Sequence, residues 1–405
     1  MKIKSLFSII IIFLSLISVN QWSILPIGNL WFEWILKIVL IIAIIRYKKY
    51  LFPIDEGYSL LNLYLYWIAF CLLRGLFISE NYLEYRQLID NGLTLFIPLL
   101  LFLFCRPDVT QYIFRNWYKW GMFSFFVFIL WVCGPTQFFL SPLLILFCFF
   151  SLQKRRWATL IFFMGIIYTL IDAENARAQF IKGGFSLLVG ISILFVDKIS
   201  VKLVRFGHII GYLSTFLLFG FILSDASGLI LGEISEDDAI YNHKHRETLS
   251  KDTRSLIYYD VFNSAFIHNY WLCGHTPARG NEIGISFMLF EHGYDGKHIF
   301  NKNERARNEM LHANIFTWTG LIGLVIYALL YMRPTYLAVY KSRNDYLPIL
   351  ACFVAFRWSF GWIEDTNRFL ISDIDLWAMI AMCYSPLFRN MTNKEFKYWV
   401  RGLIK

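Results

Sequence analysis

The sequence predicts an all-α, polytopic membrane protein with about twelve transmembrane helices and one large hydrophilic loop between the ninth and tenth. Three observations lead there. The 405 residues are 57% hydrophobic and 19% aromatic, with 17% charged residues, well under the quarter usual in soluble domains, and a mean hydropathy of +0.51. Apolar runs of bilayer-crossing length recur, and clusters of charge punctuate them. Lysine and arginine collect in alternate connections.

A hydrocarbon core of about 30 Å needs roughly 20 helical residues to cross it. Backbone polar groups cannot face lipid unpaired, so the crossing elements are helices or strands of a closed barrel. Barrel strands alternate strictly; runs such as Ser5–Val19 and Val204–Ser224 do not, and helix is preferred. Hydropathy places spans at 5–25, 30–46, 58–78, 90–105, 117–134, 137–152, 156–172, 180–197, 204–224, 311–333, 346–363 and 368–388, the shortest being 90–105 and 137–152. The first run follows Lys2 and Lys4 like a signal peptide, but no small-residue cleavage pattern comes after it, so it reads as a retained helix.

With the N-terminus in the cytoplasm, the inside segments hold 22 lysines and arginines, among them Arg46, Lys48 and Lys49, Lys154 to Arg156, and Arg389 to Lys405. The short outside segments hold five: Arg74, Arg86, Arg177, Lys182 and Arg368. This obeys the positive-inside rule throughout and places both termini in the cytoplasm. The +9 formal charge is thereby a membrane signature, and nucleic-acid binding is set aside. Three parts follow: an N-terminal bundle over 1–224, an outer loop over 225–310, and three C-terminal helices with a basic tail over 311–405.

The loop is slightly acidic, with nine basic and thirteen acidic residues. Its aromatics, Tyr258, Tyr259, Phe262, Phe266, Tyr270 and Trp271, are more than a linker carries, so it folds against the membrane. Asp252-Thr253 resembles a helix N-cap, and Ile257, Val261 and Ala265 recur at helical spacing. Seven of the eight histidines lie between His243 and His312. None shows the spacing of a zinc site, and of the seven cysteines only Cys273 lies in the loop. No metal and no cofactor is expected.

The arginines are more informative. Arg177 stands at the outer mouth of a span, Arg254 opens the loop helix, Arg279 lies in the turn-rich Gly274-His-Thr-Pro-Ala-Arg279-Gly280, and Arg305 and Arg307 precede span ten. A guanidinium grips phosphate oxygens in a fork and stays charged, which suits a lipid-linked diphosphate; ordinary interfacial arginines snorkel to headgroups instead. Glu33, Lys37, Arg357, Asp373 and Asp375 are ionisable residues within spans, most of them near span ends where snorkelling accounts for them.

Asp252-Thr-Arg-Ser-Leu-Ile-Tyr-Tyr-Asp260 through Gly274-His-Thr-Pro resembles the large periplasmic loop of the O-antigen ligase and O-antigen polymerase superfamily, in which an arginine opens a helix that leads to a glycine turn. Arg307-Asn-Glu-Met-Leu-His312 through Gly320-Leu-Ile-Gly323 is similar to the family's loop-to-helix junction with its G-x-x-G helix start, and Ala176-Arg177-Ala to its upstream arginine motif. The likeness covers roughly 170–335; before that it is one of hydropathy only. Family ligases carry a histidine about eleven residues before the first glycine, where this chain has Glu309; His312 is eight before it. That departure favours polymerase over ligase.

The resemblance implies a glycosyltransferase-C-like membrane fold in the bacterial inner membrane. It implies a surface-polysaccharide repeat-unit polymerase, a metal-independent glycosyltransferase that moves glycan from undecaprenyl diphosphate to the next lipid-linked repeat unit. A ligase would use lipid A-core, in lipopolysaccharide biosynthesis. Arg177, Arg254, Arg279, Arg305 and Arg307 are then candidates for binding the diphosphate, and His312, Glu309 and His275, in that order, for the base. The implied partners are the undecaprenyl-diphosphate-linked oligosaccharide, the bilayer, a chain-length regulator and a flippase. The rival classes are a flippase or transporter of lipid-linked sugars, which membrane-buried charge would favour, and a structural membrane partner.

Overall fold

The computed structural model describes residues 3–20, 23–52, 58–134, 136–171, 177–230, 254–284, 300–301 and 303–404. Among the described residues the fold is helical, apart from three two-residue strands. Its helices are α1 (Ile3–Ile17), α2 (Leu30–Arg46), α3 (Ser59–Ile78), α4 (Tyr82–Phe104), α5 (Pro107–Asn116), α6 (Leu143–Cys148), α7 (Arg155–Leu170), α8 (Arg177–Leu194), α9 (Val201–Ile230), α10 (Arg254–Ile267), α11 (Leu311–Lys341), α12 (Tyr346–Phe360), α13 (Ile371–Tyr384) and α14 (Asn393–Arg401). Among the described residues four helices are long and apolar enough to cross a membrane: α3, α4, the Val201–Gly220 part of α9, and α11. The shorter apolar helices are α1, Ala178–Leu194 of α8, and α12.

Burial sorts these helices into layers. The apolar window of α4 is 78% buried, whereas that of α9 is 17% buried. Phe206, Phe216 and Leu217 on α9, and Leu63, Leu73 and Phe77 on α3, point outward. Contiguous exposed apolar surface of this extent is out of place in water and is what a lipid-facing helix presents. The centre is α13, whose Leu376, Trp377, Met379, Ile380 and Met382 are fully buried and which packs against α4, α11 and α12.

Several helix starts carry local signals. Asn29 and Asn81 accept the Phe32 and Glu84 amides at the starts of α2 and α4, the ordinary role of an N-cap. Thr392 and Glu395 form a capping box on α14.

The basic segments come together on one face. Lys4 pairs with Asp108 at 2.6 Å, the Arg343 amide donates to the Arg389 carbonyl, and Ser385 donates to the Cys105 carbonyl at 2.6 Å. The amphipathic α14 closes that face: Gln111 donates to the Trp399 carbonyl, Gln153 to the Val400 carbonyl and Arg401 to the Leu152 carbonyl.

The opposite face carries the loop. α10 spans Arg254–Ile267 with Ile257, Val261 and Ala265 fully buried, the three positions expected to face inward; Asp252-Thr253 lies outside the described residues. Strands β1 (Asn281–Glu282), β2 (Phe300–Asn301) and β3 (Glu304–Arg305) form an antiparallel sheet in the order β1-β3-β2, with Asn281 opposite Arg305.

The turn from Trp271 to His275 enters a break in α11. Gly320 has φ +69° and ψ −174° inside that helix, a conformation nearly restricted to glycine. The Leu321 amide donates to the Trp271 carbonyl at 2.8 Å, the Ile322 amide to the Leu272 carbonyl at 3.3 Å, and the His275 amide to the Thr317 carbonyl at 2.6 Å. Trp67 of α3 donates to the Thr319 carbonyl, and Arg74 to the Cys273 and Gly274 carbonyls. A helix break strands amides and carbonyls, and here the loop turn and α3 take them up.

The boundaries differ from expectation in several places: α11 runs to Lys341, past the expected end at 333, and the stretch expected over 117–134 is helical from Pro107, through π-helical turns, to Val132. The run expected over 90–105 belongs to a 23-residue helix starting at Tyr82, because Asn81 and Glu84 cap a polar first turn that hydropathy does not register. The run expected over 137–152 is helical only over Leu143–Cys148 and short 3-10 turns, with Pro142 directly before α6. α9 continues to Ile230, beyond the expected end at 224, and the first helix ends at Ile17 instead of 25.

At Gly320 an added Cβ would overlap the Leu272 carbonyl, and at Gly274 (φ +70°) it would lie 2.5 Å from the Thr319 nitrogen. At Gly207 it would make only an ordinary 3.8 Å contact with Cys352. Gly320→Ala and Gly274→Ala are each expected to destabilise the detergent-purified protein by about 2–4 kcal/mol, and Gly207→Ala to be near neutral. Melting curves check this, and equal effects at all three glycines would remove the special role of the break.

Candidate functional site

Beneath α10 lies a cavity of about 320 Å³, walled by α9, α10, the start of α11 and the connection after α12. Tyr258, Val261, Phe262, Trp271, Phe316 and Trp362 supply an apolar lining, and His312 is on the wall. His312 is 2% exposed. Its ring stacks on Trp362 at 4.5 Å and meets the face of Trp358 edge-on at 4.3 Å. Neither ring nitrogen makes a hydrogen bond among the described residues. Tyr258 donates to the Trp362 carbonyl, which ties the loop helix to the 361–370 connection.

That connection, Gly361-Trp-Ile-Glu-Asp-Thr-Asn-Arg-Phe-Leu370, organises a charge network beside the cavity. Glu364 accepts from Lys182 of α8 at 2.5 Å and lies 3.8 Å from Arg357 of α12. Burial pushes the Glu364 carboxyl up, but Lys182 and Arg357 outweigh it and hold it below the usual carboxylate range. Asp365 binds Arg368 at 2.8 Å and Arg307 at 3.3 Å. Arg307 also donates to the Asn367 carbonyl and lies 3.9 Å from Asp90. Asp373 accepts from the Arg368 amide.

Arg357 and Asp375 are 0% exposed and Asp373 is 1% exposed. Snorkelling therefore does not account for these three: they point into the bundle. Lys37, at 2% exposure, is likewise buried and paired with Glu33. Hydropathy alone cannot distinguish the inner side of a span from its end.

The remaining candidates divide into two groups. Around the sheet, Arg279 forks onto Glu304, with Nε donating to Oε2 at 2.8 Å and Nη2 to Oε1. The Gly280 amide shares the same carboxylate, and the bonds from Glu304 hold the Arg279 guanidinium above its ordinary value. His275 Nδ1 donates to the Gly280 carbonyl at 2.8 Å, so that nitrogen carries the proton. Its ring stacks on Tyr270 at 4.7 Å, and burial lowers its proton affinity, which leaves a neutral imidazole. Arg305 is nearly buried; burial lowers its pKa against the attraction of Asp260 and Glu309.

At the entry to α11, Glu309 is exposed and acts electrostatically on Arg305 and Arg368. Arg307 and His312 flank it in sequence. Arg254 is half-buried at the start of α10 and acts on the Tyr258 hydroxyl. Arg177 begins α8, with its side chain outside the described atoms; His243, at the start of the histidine-rich stretch, lies outside the described residues.

Of the five candidate arginines, Arg279 and Arg307 are thus engaged by carboxylates of the chain itself. Glu364, Asp365 and Asn367 were not singled out in the sequence. The available signal was the run of five polar residues, Glu364 to Arg368, between two apolar stretches, of which only Arg368 entered the charge count.

A guanidinium already forked to a carboxylate holds the sheet before it can hold a ligand. Arg279→Gln and Glu304→Gln are expected to destabilise non-additively, with a coupling of about 0.5–3 kcal/mol in a double-mutant cycle read by thermal melting. Strict additivity would mean that the pair does not support the sheet. Comparison of the chain with protein-family models, with curated proteins and with solved structures gives no match.

Proposed function

We propose that this chain is a membrane glycosyltransferase that lengthens a glycan carried on undecaprenyl diphosphate, acting as a repeat-unit polymerase of the bacterial inner membrane with the loop on the periplasmic side and both termini in the cytoplasm. A twelve-span topology belongs to this proposal, and its basis is the lysine and arginine asymmetry. The observation that carries the enzymatic reading is the apolar cavity under α10, with His312 on its wall and Arg254 at the start of the helix that roofs it. A polyprenyl substrate needs an apolar seat for its chain and fixed positive charge for its diphosphate, side by side.

In the proposed reaction a hydroxyl oxygen of the acceptor sugar attacks the anomeric carbon of the donor. The bond from that carbon to the phosphate oxygen breaks, and the diphosphate leaves with the electron pair. Fixed cations aimed at the leaving oxygens lower the barrier, and a base takes the hydroxyl proton. Arg254, at the start of the helix that roofs the cavity, and Arg305, on the sheet beside Glu309, are the cationic candidates. For the base, Glu309 has the exposure that a sugar hydroxyl requires, while His312 is enclosed by Trp358 and Trp362. His275, neutral and half-buried, is the third candidate.

A second reading is favoured by one observation. Lys182, Arg357, Asp373 and Asp375 are buried ionisable groups within helices, and such groups commonly mark transport pathways. A transporter of lipid-linked sugars would use them along a path through α8, α12 and α13.

The two readings separate in a reconstituted assay with an undecaprenyl-diphosphate-linked oligosaccharide. The polymerase produces a ladder of longer lipid-linked chains. Arg254→Ala, Arg305→Ala and Glu309→Gln should each slow it by about 30- to 1,000-fold, and Arg→Lys should restore little, because an ammonium cannot fork. Transfer to lipid A-core with no ladder would indicate a ligase. Movement of the lipid-linked sugar across the vesicle membrane with no new glycosidic bond would replace the enzyme by a transporter.

A further inference from the structure

A second cleft opens at the opposite, basic face. Its volume is about 710 Å³, and it lies between the first turns of α3, the first half of α9 and the last third of α11. Leu63, Leu329 and Met332 form its apolar wall, and each is more than 40% exposed. Polar groups lie among them, Arg333, His208 and Tyr212 foremost. Arg333 is exposed and has no carboxylate partner among the described residues. His208 is 7% exposed, and neither of its ring nitrogens has a hydrogen-bond partner among the described residues. Tyr212 shares a 2.8 Å hydrogen bond with Thr335 and meets the His208 ring edge-on at 5.2 Å.

Each part of this cleft asks for a different part of one ligand. The apolar wall belongs to α3 and α11, its three residues are each more than 40% exposed, and α9, the least buried of the long apolar helices, borders it, so the opening faces lipid. A guanidinium at its rim calls for an anion and prefers one with paired oxygens. An imidazole buried in the cleft with no partner among the described residues calls for a polar oxygen or hydroxyl from a ligand. The basic surroundings, with Arg205 stacked over Tyr340 at 4.8 Å, reinforce the preference for negative charge.

We propose that this cleft seats one anionic phospholipid of the basic-side leaflet. An acyl chain lies along Leu63, Leu329 and Met332, the phosphate is held by Arg333, and a glycerol or ester oxygen meets His208. The proposal is independent of the chemistry assigned to the loop face: it stands if the chain is a transferase or a transporter.

The test is native mass spectrometry of the detergent-purified full chain, titrated with phosphatidylglycerol or phosphatidylcholine. One phosphatidylglycerol per chain is expected, with an apparent affinity about tenfold above that of phosphatidylcholine. Arg333→Gln should abolish the preference. Leu63→Trp, which fills the cleft from a lipid-facing position, should reduce occupancy by either lipid. Arg343→Gln, on the same face outside the cleft, should change neither. Melting curves establish that each variant is folded. Equal binding of the two lipids, an unaltered preference in Arg333→Gln, unaltered occupancy in Leu63→Trp, or the same loss in Arg343→Gln would overturn the proposal. So would displacement of the bound lipid by inorganic phosphate, which would make this a free-anion site.

Discussion

The loop face depends on one exchange of backbone hydrogen bonds: the turn from Trp271 to His275 completes the helix that breaks at Gly320. An amide or carbonyl left unpaired inside a bilayer costs several kcal/mol, so a break in a long apolar helix needs a partner at the break. The turn supplies carbonyls to the Leu321 and Ile322 amides and an amide to the Thr317 carbonyl. Two glycines permit the approach, since a side chain at either would collide with the other strand of backbone. The same turn is held from behind by Arg74, while Asn91 donates to the carbonyls of Pro277 and Ala306 on either side of the sheet. The extracytoplasmic segment of the proposed topology is thereby part of the bundle, and α10 is held over the cavity it roofs.

The second constraint is the burial of charge. Lys182, Arg307, Arg357 and Arg368 face Asp90, Glu364, Asp365, Asp373 and Asp375 within a small region beside that cavity. Pairs of this kind contribute little net stability over apolar residues of equal volume, but removing one partner leaves a buried charge uncompensated. Their persistence in so apolar a chain is better explained by the geometry they impose. Asp365 ties the residues just before α11 to those after α12, and Glu364 ties α8 to the same connection. In the transferase reading this network positions the rim of the cavity; in the transporter reading it is itself the path.

The helical class and the lipid-facing character of the chain were legible in composition and run length. So was α10, because Ile257, Val261 and Ala265 repeat at the period of a helix and all three turn inward. The start of α4 was not, since its first turn, Tyr82-Leu-Glu-Tyr-Arg, is polar, and its caps act over three residues where hydropathy averages over many. Gly320 and Gly323 stood out as a motif, yet a glycine pair does not say which distant backbone will fill the gap. The arginines were visible as charges but not as pairs. Arg279 with Glu304 and Arg307 with Asp365 are 25 and 58 positions apart, distances at which only the folded chain decides who meets whom. The Glu364–Arg368 run escaped because a short connection between two spans looks like any other polar turn until Lys182 and Arg307 are found against it.

Amide hydrogen exchange of the detergent-purified protein tests the central claim most directly. The amides of His275, Leu321 and Ile322 donate across the loop–helix junction, and exchange in such groups reports the free energy of opening that junction. Slow exchange at all three, matched to that of the α11 residues on either side of the break, is the predicted result. Rapid exchange at Leu321 and Ile322 within an otherwise protected helix would contradict it, and the loop turn would then be a cover resting on the bundle.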